Sequence, residues 1–592
     1  MSEKEIFAAV TIGPILDTIN LASSPSALWA ASYMMSTLSK NICKKLVESG
    51  VDKNDIISPY YDPDDELLKR NDGVGLFHDR VIYKLPEKYC KEDVFKEHFK
   101  AVRENAIIET IGYFGFEEEM YNSYFKDYFL VSAVLLNDTH NPIMDSGKML
   151  DCLELSKRFV SSSKSDPILS FFNSEETEGS RNDAIRRRVV DKMEIYNWQL
   201  LNANRDKIRS LGDIANAFAH SDEALKKNKY YAVVRSDGDR ISKIIEKLDA
   251  KKIRAFSRVC LQYCSDIANK VKTEYGGIAV YAGGDDLLAI MPVENHNKKT
   301  VFDFAEEANK LFTESFSKNK DFKRVYAGND EKLMEEYDSL CRELSLSFGI
   351  FVSYYKFPLY EALEQSARLL FGVAKSVRNC AAVRFQKHAG QSEGLLIPNS
   401  DMPELKEFLK KCVEKKASSD NEKKKSDDKK KSSGNEETMS GSENAASGNE
   451  ETTSDNKKES SDNEKKTLLD DKVILSALHK IELFGSMFNH AEGDSLKNLF
   501  ENTFDAYSQQ TNVFLQTTLY EYFRQLKEDS NILILSDDGD KKDKENEKHE
   551  KSDTSDSAEK TEDKASAKDY AKTLNYILRI VKFFIEKAGE RE

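Results

Sequence analysis

Between Gly277 and Pro292 the chain reads GIAVYAGGDDLLAIMP, two apolar runs parted by Gly283-Gly284-Asp285-Asp286. Apolar runs of this length flanking a glycine-containing turn specify an antiparallel pair of strands, which needs a sheet and covering helices to bury it. The surrounding text supplies them. A strand over Tyr230–Val234 precedes helices over Ile241–Leu248 and Arg254–Tyr275, then strands at Ile278–Tyr281 and Leu287–Met291 and a helix over Val301–Ser317. A strand over Ser345–Ser353, a helix over Leu359–Val377 and a strand over Ala382–Gln386 complete the pattern. This β-α-β-β-α-β order predicts a ferredoxin-like domain over residues 227–392.

The first strand of that domain ends in Asp237-Gly238-Asp239. In a ferredoxin-like sheet it lies beside the hairpin, so Asp237 converges with Asp285 and Asp286. Carboxylates gathered in this way repel, and a hard divalent cation is the usual remedy. Two such ions are the recurring device of nucleotidyl transfer. Gly283 and Gly284 suit a tight turn that a nucleotide can approach closely, and the Gly238 turn offers backbone N–H groups to a triphosphate. Each motif alone is also ordinary turn chemistry; their placement on adjacent strands favours a metal site.

The rest of the chain is organised around this domain. Residues 1–112 open with a strand over Ile6–Ile12, a Gly13-Pro14 turn, a helix over Ala27–Val47 and a strand over Arg80–Leu85. Residues 113–226 read as helical, with long segments around Tyr121–Leu136 and Ala184–Asn204, and residues 393–592 read as a helical C-terminal domain. Its packed parts are Phe484–Phe488, Thr511–Leu526 and Tyr570–Ala588. Two tracts interrupt it, about 414–466 and 536–568, rich in Ser, Asp, Glu, Asn and Lys. SGNEET recurs at 433–438 and 447–452, and SSDNEKK at 418–424 and 460–466. Such text buries too little apolar area to offset its ordering entropy, so both tracts are expected to be disordered insertions. The fold class is therefore α+β.

The net charge of −15 excludes a surface that is basic throughout. The eight cysteines include no CxxC pair; Cys260 and Cys264 read as core thiols on one helix face. No apolar run is long enough to span a bilayer and no leader is evident, so no membrane association and a cytoplasmic location are expected.

YAGGDD after a DGD strand resembles the palm domain of the large polymerase-like subunit of type III CRISPR effector complexes, especially the III-B branch. Three further blocks share the resemblance: VTIGPILDTINLASSPSALWAASYMMSTL at Val10–Leu38, LSLSFGIFVSYYKFPLYEAL at Leu344–Leu363 and RNCAAVRFQKHAG at Arg378–Gly390. The resemblance implies two ferredoxin-like palm domains, the second catalytic, with helical middle and C-terminal domains. It implies that guide RNA paired to target RNA activates the palm to convert ATP into cyclic oligoadenylate for antiviral defence. The partners it implies are those RNAs and the small helical and RNA-recognition-fold subunits of the complex. Asp237, Asp285 and Asp286 match the catalytic carboxylates and, with the Gly238 carbonyl, the ligands of two Mg2+ or Mn2+ ions. Gly238, Asp239, Gly283, Gly284 and Ser347 match positions near the nucleotide. Lys375 matches a phosphate contact, although a solvated helix lysine accounts for it equally well.

The departures are equally specific. No HD nuclease activity is expected, because His78-Asp79 lies at the start of a strand without the partners such a site needs. Tyr354 stands where the family often has His, which puts the nucleotide pocket in question. Branches without the HD domain include some thought to join ATP to S-adenosylmethionine, so an AMP conjugate is a second expected product. An inert scaffold subunit and a free-standing GGDEF-like cyclic-dinucleotide synthase are the competing readings. The lysines at Lys226–Lys229 face RNA or form a solvated helix end.

Overall fold

The computed structural model describes residues 5–155, 168, 211–215, 229–413, 471–535 and 568–589, apart from 23, 71, 72, 138, 296, 389, 391 and 506–508. The two tracts expected to be disordered, the helix expected over Ala184–Asn204 and Lys226 to Asn228 lie outside the described residues, save Lys568 at the end of the second tract.

Two compact units emerge, one of residues 1–406, 526–568 and 590–592, the other of residues 407–525 and 569–589. The first contains two sheets. In the N-terminal one, strands β1 (Ile6–Gly13), β2 (Ile56–Ser58), β3 (Arg80–Lys84) and β4 (Leu130–Asn137) lie in the order β2-β3-β1-β4, every pair antiparallel. Helices α1 (Pro25–Glu48) and α2 (Glu92–Tyr113) cover the face that carries Ala8, Val10 and Ile12. Ser24 caps α1 by accepting from the Ala27 N–H, and Pro25 in the first turn fits where no intrahelical donor is needed. Helix α3 (Pro142–Glu154) packs on β1 and β4, where Thr11 donates to Glu154 at 2.7 Å.

The expectation of a helix through Tyr121–Leu136 is corrected here. A π-helical turn at Tyr121–Phe125 and one helical turn at Lys126–Tyr128 give way to β4, which pairs with the whole length of β1. An aromatic and β-branched run fits either state by itself, and the open edge of β1 decides for strand. Of residues 113–226, the described Leu130–Asn137 belongs to the first sheet and α3 packs on it.

The second sheet has seven strands, β5 (Tyr230–Gly238), β6 (Ile278–Gly283), β7 (Asp286–Pro292), β8 (Leu346–Tyr354), β9 (Cys380–Gln386), β10 (Ser392–Pro398) and β11 (Leu533–Leu535), in the order β11-β10-β9-β8-β5-β7-β6. Its core, β8-β5-β7-β6, repeats strand for strand the β4-β1-β3-β2 order of the first sheet, the ferredoxin-like arrangement. Helices α4 (Ile241–Ile245) and α5 (Ala250–Thr273) follow β5, and α6 (Val301–Ser317) follows β7. Strand β9 runs parallel to β8 after helix α7 (Leu359–Ala367) and a π-helical turn at Arg368–Ala374, so the expected single helix over Leu359–Val377 is interrupted. Strands β10 and β11 lie where the sequence suggested the edge of a helical C-terminal domain. They extend the sheet beyond β9, and β11 is recruited from far along the chain by three residues of pairing.

The two sheets meet within this unit. Leu28 of α1 is fully buried among Tyr231, Val233, Val280 and Leu288, and the Ala282 N–H donates to the Gly75 carbonyl at 2.9 Å. The second unit is helical. Its helices α8 (Asp471–Leu483) and α9 (Tyr570–Gly589) pack together, and Phe488, Phe500 and Phe523 form an aromatic cluster. No helix among the described residues is long and apolar enough to cross a membrane.

Candidate active site

Strand β6 turns into β7 through Gly284 and Asp285 alone, with Gly283 paired to Asp286. Gly284 holds φ at +69°, in the first turn position that this hairpin type reserves for glycine. The turn thereby lifts Asp285 and Asp286 to the corner of the sheet where β5 ends. There both carboxyls come close enough to Asp237 to feel its charge. Gly238 has to be a glycine for a different reason. A Cβ there would stand 2.7 Å from Asp285 Oδ2 and 2.6 Å from Ile241, so the hairpin carboxylate closes directly over the strand end.

Protein packs densely around these groups, yet Asp286 remains open to solvent, as expected for a cleft floor. Burial pushes the Asp285 carboxyl up, with the Asp237 carboxylate adding to it. Asp286 is raised for the same reasons, with Asp285 as the nearest like charge.

Lys375, at the exit of the π-helical turn, answers part of that charge. Its Nζ lies 2.8 Å from Asp237 Oδ2 and 3.2 Å from Asp239 Oδ1, and it donates to the Asp237 and Gly238 carbonyls at 2.9 and 2.6 Å. The wide turn sets the phase of the helix so that this lysine points inward while Phe371 faces solvent. Lys375 is thus no solvated helix lysine.

Other expected site residues sit differently. Asp239 is buried rather than open to a nucleotide, and it accepts from Ser345 Oγ at 2.8 Å, Ser347 Oγ at 2.8 Å and the Asn379 N–H at 2.8 Å. Its own N–H donates to the Ser345 carbonyl, and the following helix α4 has five residues, so this turn does not present the row of free N–H groups expected for a triphosphate. Ser347 is fully buried and donates to Asp239 instead of facing an adenosine. Gly283 receives the Tyr281 hydroxyl on its carbonyl at 3.3 Å. Tyr354 lies at the opposite end of β8 from Ser347, paired with Tyr230 while Ser347 pairs with Asp237. At about 3.4 Å per residue it is some 24 Å from the carboxylates, so it has no place in their pocket.

One residue of the site escaped the sequence reading. Arg235 lies two positions before Asp237 on the same face of β5, and the signal was a lone cation inside an otherwise apolar strand. Cys264 and Cys260 lie beneath the hairpin, and the Cys264 thiol donates to the Gly284 carbonyl at 3.3 Å. Burial pushes both thiols up, as befits core residues.

Residues 230–382 match the family described as Cas10/Cmr2, second palm domain, and residues 7–111 match the N-terminal region of the CRISPR-associated protein Cmr2. Over those two stretches the chain is similar to the Cas10/Cmr2 family.

The relatives include Cmr2 and type III-B proteins. The chain is 29% identical over 216 residues to the Cmr2 subunit of the CRISPR Cmr system of Pyrococcus furiosus, an alignment covering 32% of this chain and 22% of that protein. The match thus spans about a fifth of that relative's length. The type III-B Cmr-beta structure bound to cognate target RNA overlays at a TM-score of 0.51 and 11% identity, over 100% of this chain and 83% of that one. That likeness establishes a shared fold. A Csm1–Csm4 cassette in complex with cA4 overlays at a TM-score of 0.43 and 11% identity, over 88% of this chain and 70% of that one.

Among the described residues, no group of three or more His, Cys, Asp or Glu side chains stands preset around one ion position. The site carboxyls instead pair with one another and with Lys375. The donor set still fits hard cations. Among the described residues Asp237, Asp239, Asp285 and Asp286 face Lys375 and Arg235 as opposing charges, and the ligating atoms they offer are oxygens, which suit a divalent ion.

Proposed function

We propose that this chain is the large subunit of a type III-B effector complex and a metal-dependent nucleotidyl transferase. Its substrate is ATP and its product a cyclic oligoadenylate, made when guide RNA pairs with target RNA. The observation that carries the reading is the convergence of Asp237, Asp285 and Asp286 beside Lys375.

In this reading Asp237, Asp285, Asp286 and the Gly238 carbonyl hold two Mg2+ or Mn2+ ions. Such ions neutralise the phosphates and lower the pKa of an attacking hydroxyl. A ribose hydroxyl forms a bond to the α-phosphorus of ATP, the bond to pyrophosphate breaks, and the hydroxyl proton passes to a site carboxylate or to water. Lys375 holds the β5 terminus until nucleotide arrives and then offers its ammonium to the phosphates. Asp239, tied to Ser345, Ser347 and Asn379, positions Lys375. An AMP conjugate of S-adenosylmethionine is the second product class compatible with these groups. The partners in this reading are the guide and target RNAs and the small helical and RNA-recognition-fold subunits, and its place of action is the cytoplasm.

The chain assembled with its guide complex, target RNA, ATP and Mg2+ or Mn2+ tests the reading, with and without S-adenosylmethionine and with products identified by mass spectrometry. An oligoadenylate or AMP conjugate that disappears in Asp285→Ala/Asp286→Ala is expected. A complex that binds target yet consumes no ATP makes the chain an inert scaffold. Turnover by the chain alone, without guide or target, favours a free-standing synthase.

A further inference from the structure

Arg235 sits in the stripe of β5 whose other members are Tyr231 and Val233, both fully buried, and Asp237. Across the sheet it lies opposite Leu288 on β7 and Gly349 on β8. Gly349 brings no side chain, and the backbone of α7 fills that space. Ser366 from α7 then accepts from Arg235 Nε at 3.2 Å. A guanidinium carries five N–H donors in a rigid fork, and among the described residues this bond to a neutral hydroxyl is the one that Arg235 makes. No carboxylate forms an ion pair with it, although the Asp286 charge acts on it from nearby.

The rest of the Arg235 fork is not among the buried unpartnered atoms, so these N–H groups are open to the cleft. Lys375 engages Asp237 and Asp239 at the strand end, and no carboxylate there is bonded to Arg235. The remaining donors are available to acceptors brought by a ligand, and paired oxygens such as those of a phosphate match the fork.

We propose that Arg235 is a phosphate-binding residue of the nucleotide site, taking oxygens of a nucleoside di- or triphosphate held at the Asp237–Asp285–Asp286 corner. The inference rests on the nucleotidyl-transfer reading and adds to it a contact on the floor of the cleft, deeper in the sheet than the carboxylates. A residue serving only as counter-charge to Asp286 behaves differently. Its removal leaves nucleotide affinity unchanged and tightens Mn2+ binding, because a repelling charge is gone.

The test uses the full chain, with Mn2+, α,β-methylene-ATP, ADP and adenosine titrated calorimetrically into the wild type, Arg235→Met and Arg235→Lys. Loss of a charged phosphate contact weakens the triphosphate analogue and ADP by about tenfold or more, leaves adenosine unchanged and does not weaken Mn2+ binding. Arg235→Lys, which keeps the charge and loses the fork, falls between, and it decides the matter should the methionine variant fail to fold. Equal analogue affinity in all three proteins overturns the proposal, as does an equal loss for adenosine. A wild type that binds Mn2+ but no nucleotide overturns the nucleotidyl-transfer reading together with this one. Wild-type binding with indifferent Arg235 variants overturns this inference alone.

Discussion

Where β5 meets β7 in the second sheet, Asp237 faces Asp286; at the matching corner of the first sheet, where β1 meets β3, Ile12 faces Asp79. Both sheets have the same strand order and antiparallel sense. One corner gathers carboxylates around a two-residue turn. The other joins its strands through the long stretch from Pro59 to Asp79, and an apolar residue replaces the strand-end aspartate. His78 beside it is held by Ser58 at 3.0 Å, and its carbonyl accepts from Ser39. The first corner is sealed and the second open. The fold supplies the corner, and the residues placed on it decide whether it can do chemistry.

The largest expected effect breaks the comparison directly. Asp237→Asn should lower ATP turnover by the assembled complex about a thousandfold or more, whereas Asp79→Asn should leave it within about threefold. Comparable losses in both would mean that the first corner is part of the site.

Next comes pH, where the two corners should act with opposite sign. Asp285 is raised from 3.8 to about 7 on folding, so over that window the folded chain holds a proton that the unfolded chain has lost. Its contribution therefore falls as pH rises, by at most about 4 kcal/mol before water at its partly exposed surface screens it. His78 is lowered from 6.5 to about 4 by burial, with the neighbouring Arg80 charge adding to it. The unfolded chain takes that proton first, so stability is lost as pH drops, by at most about 3 kcal/mol before the same discount. Urea denaturation in metal-free buffer checks both signs. Asp285→Asn should gain on the wild type as pH rises toward neutrality, and His78→Gln should gain on it as pH falls. Parallel pH profiles for the two variants would refute the assignment.

The smallest effect is local. Ser58→Ala removes the hydroxyl that holds His78 and should cost about 1 kcal/mol in the same denaturation assay, with metal binding at the second corner unchanged.

Much of this was legible in the sequence where local pattern and tertiary fate agree. The hairpin at Gly284-Asp285, the strand ending in Asp237 and the helix from Val301 to Ser317 each follow from residues within a few positions of one another. Reading failed where a distant partner decides. Leu130–Asn137 became a strand because β1 offered an edge, and Leu533–Leu535 because β10 did. Asp239 looked like its neighbour Asp237, but its fate depends on Ser345 and Ser347, which only the pairing of β5 with β8 brings beneath it. Arg235 was visible as an anomaly without its cause, since the space left by Gly349 belongs to another strand.

Helix α5 joins these two histories mechanically. Arg254 near its start donates to the Ile56 and Tyr61 carbonyls of the first domain, Ser257 accepts from the Tyr60 N–H, and Arg258 pairs with Asp65 at 2.9 Å. Farther along the same rod, Cys264 touches the Gly284 carbonyl. A helix of 24 residues is about 36 Å long and nearly incompressible along its axis. One rigid rod therefore ties the β2 edge of the first sheet to the Gly284 turn of the second.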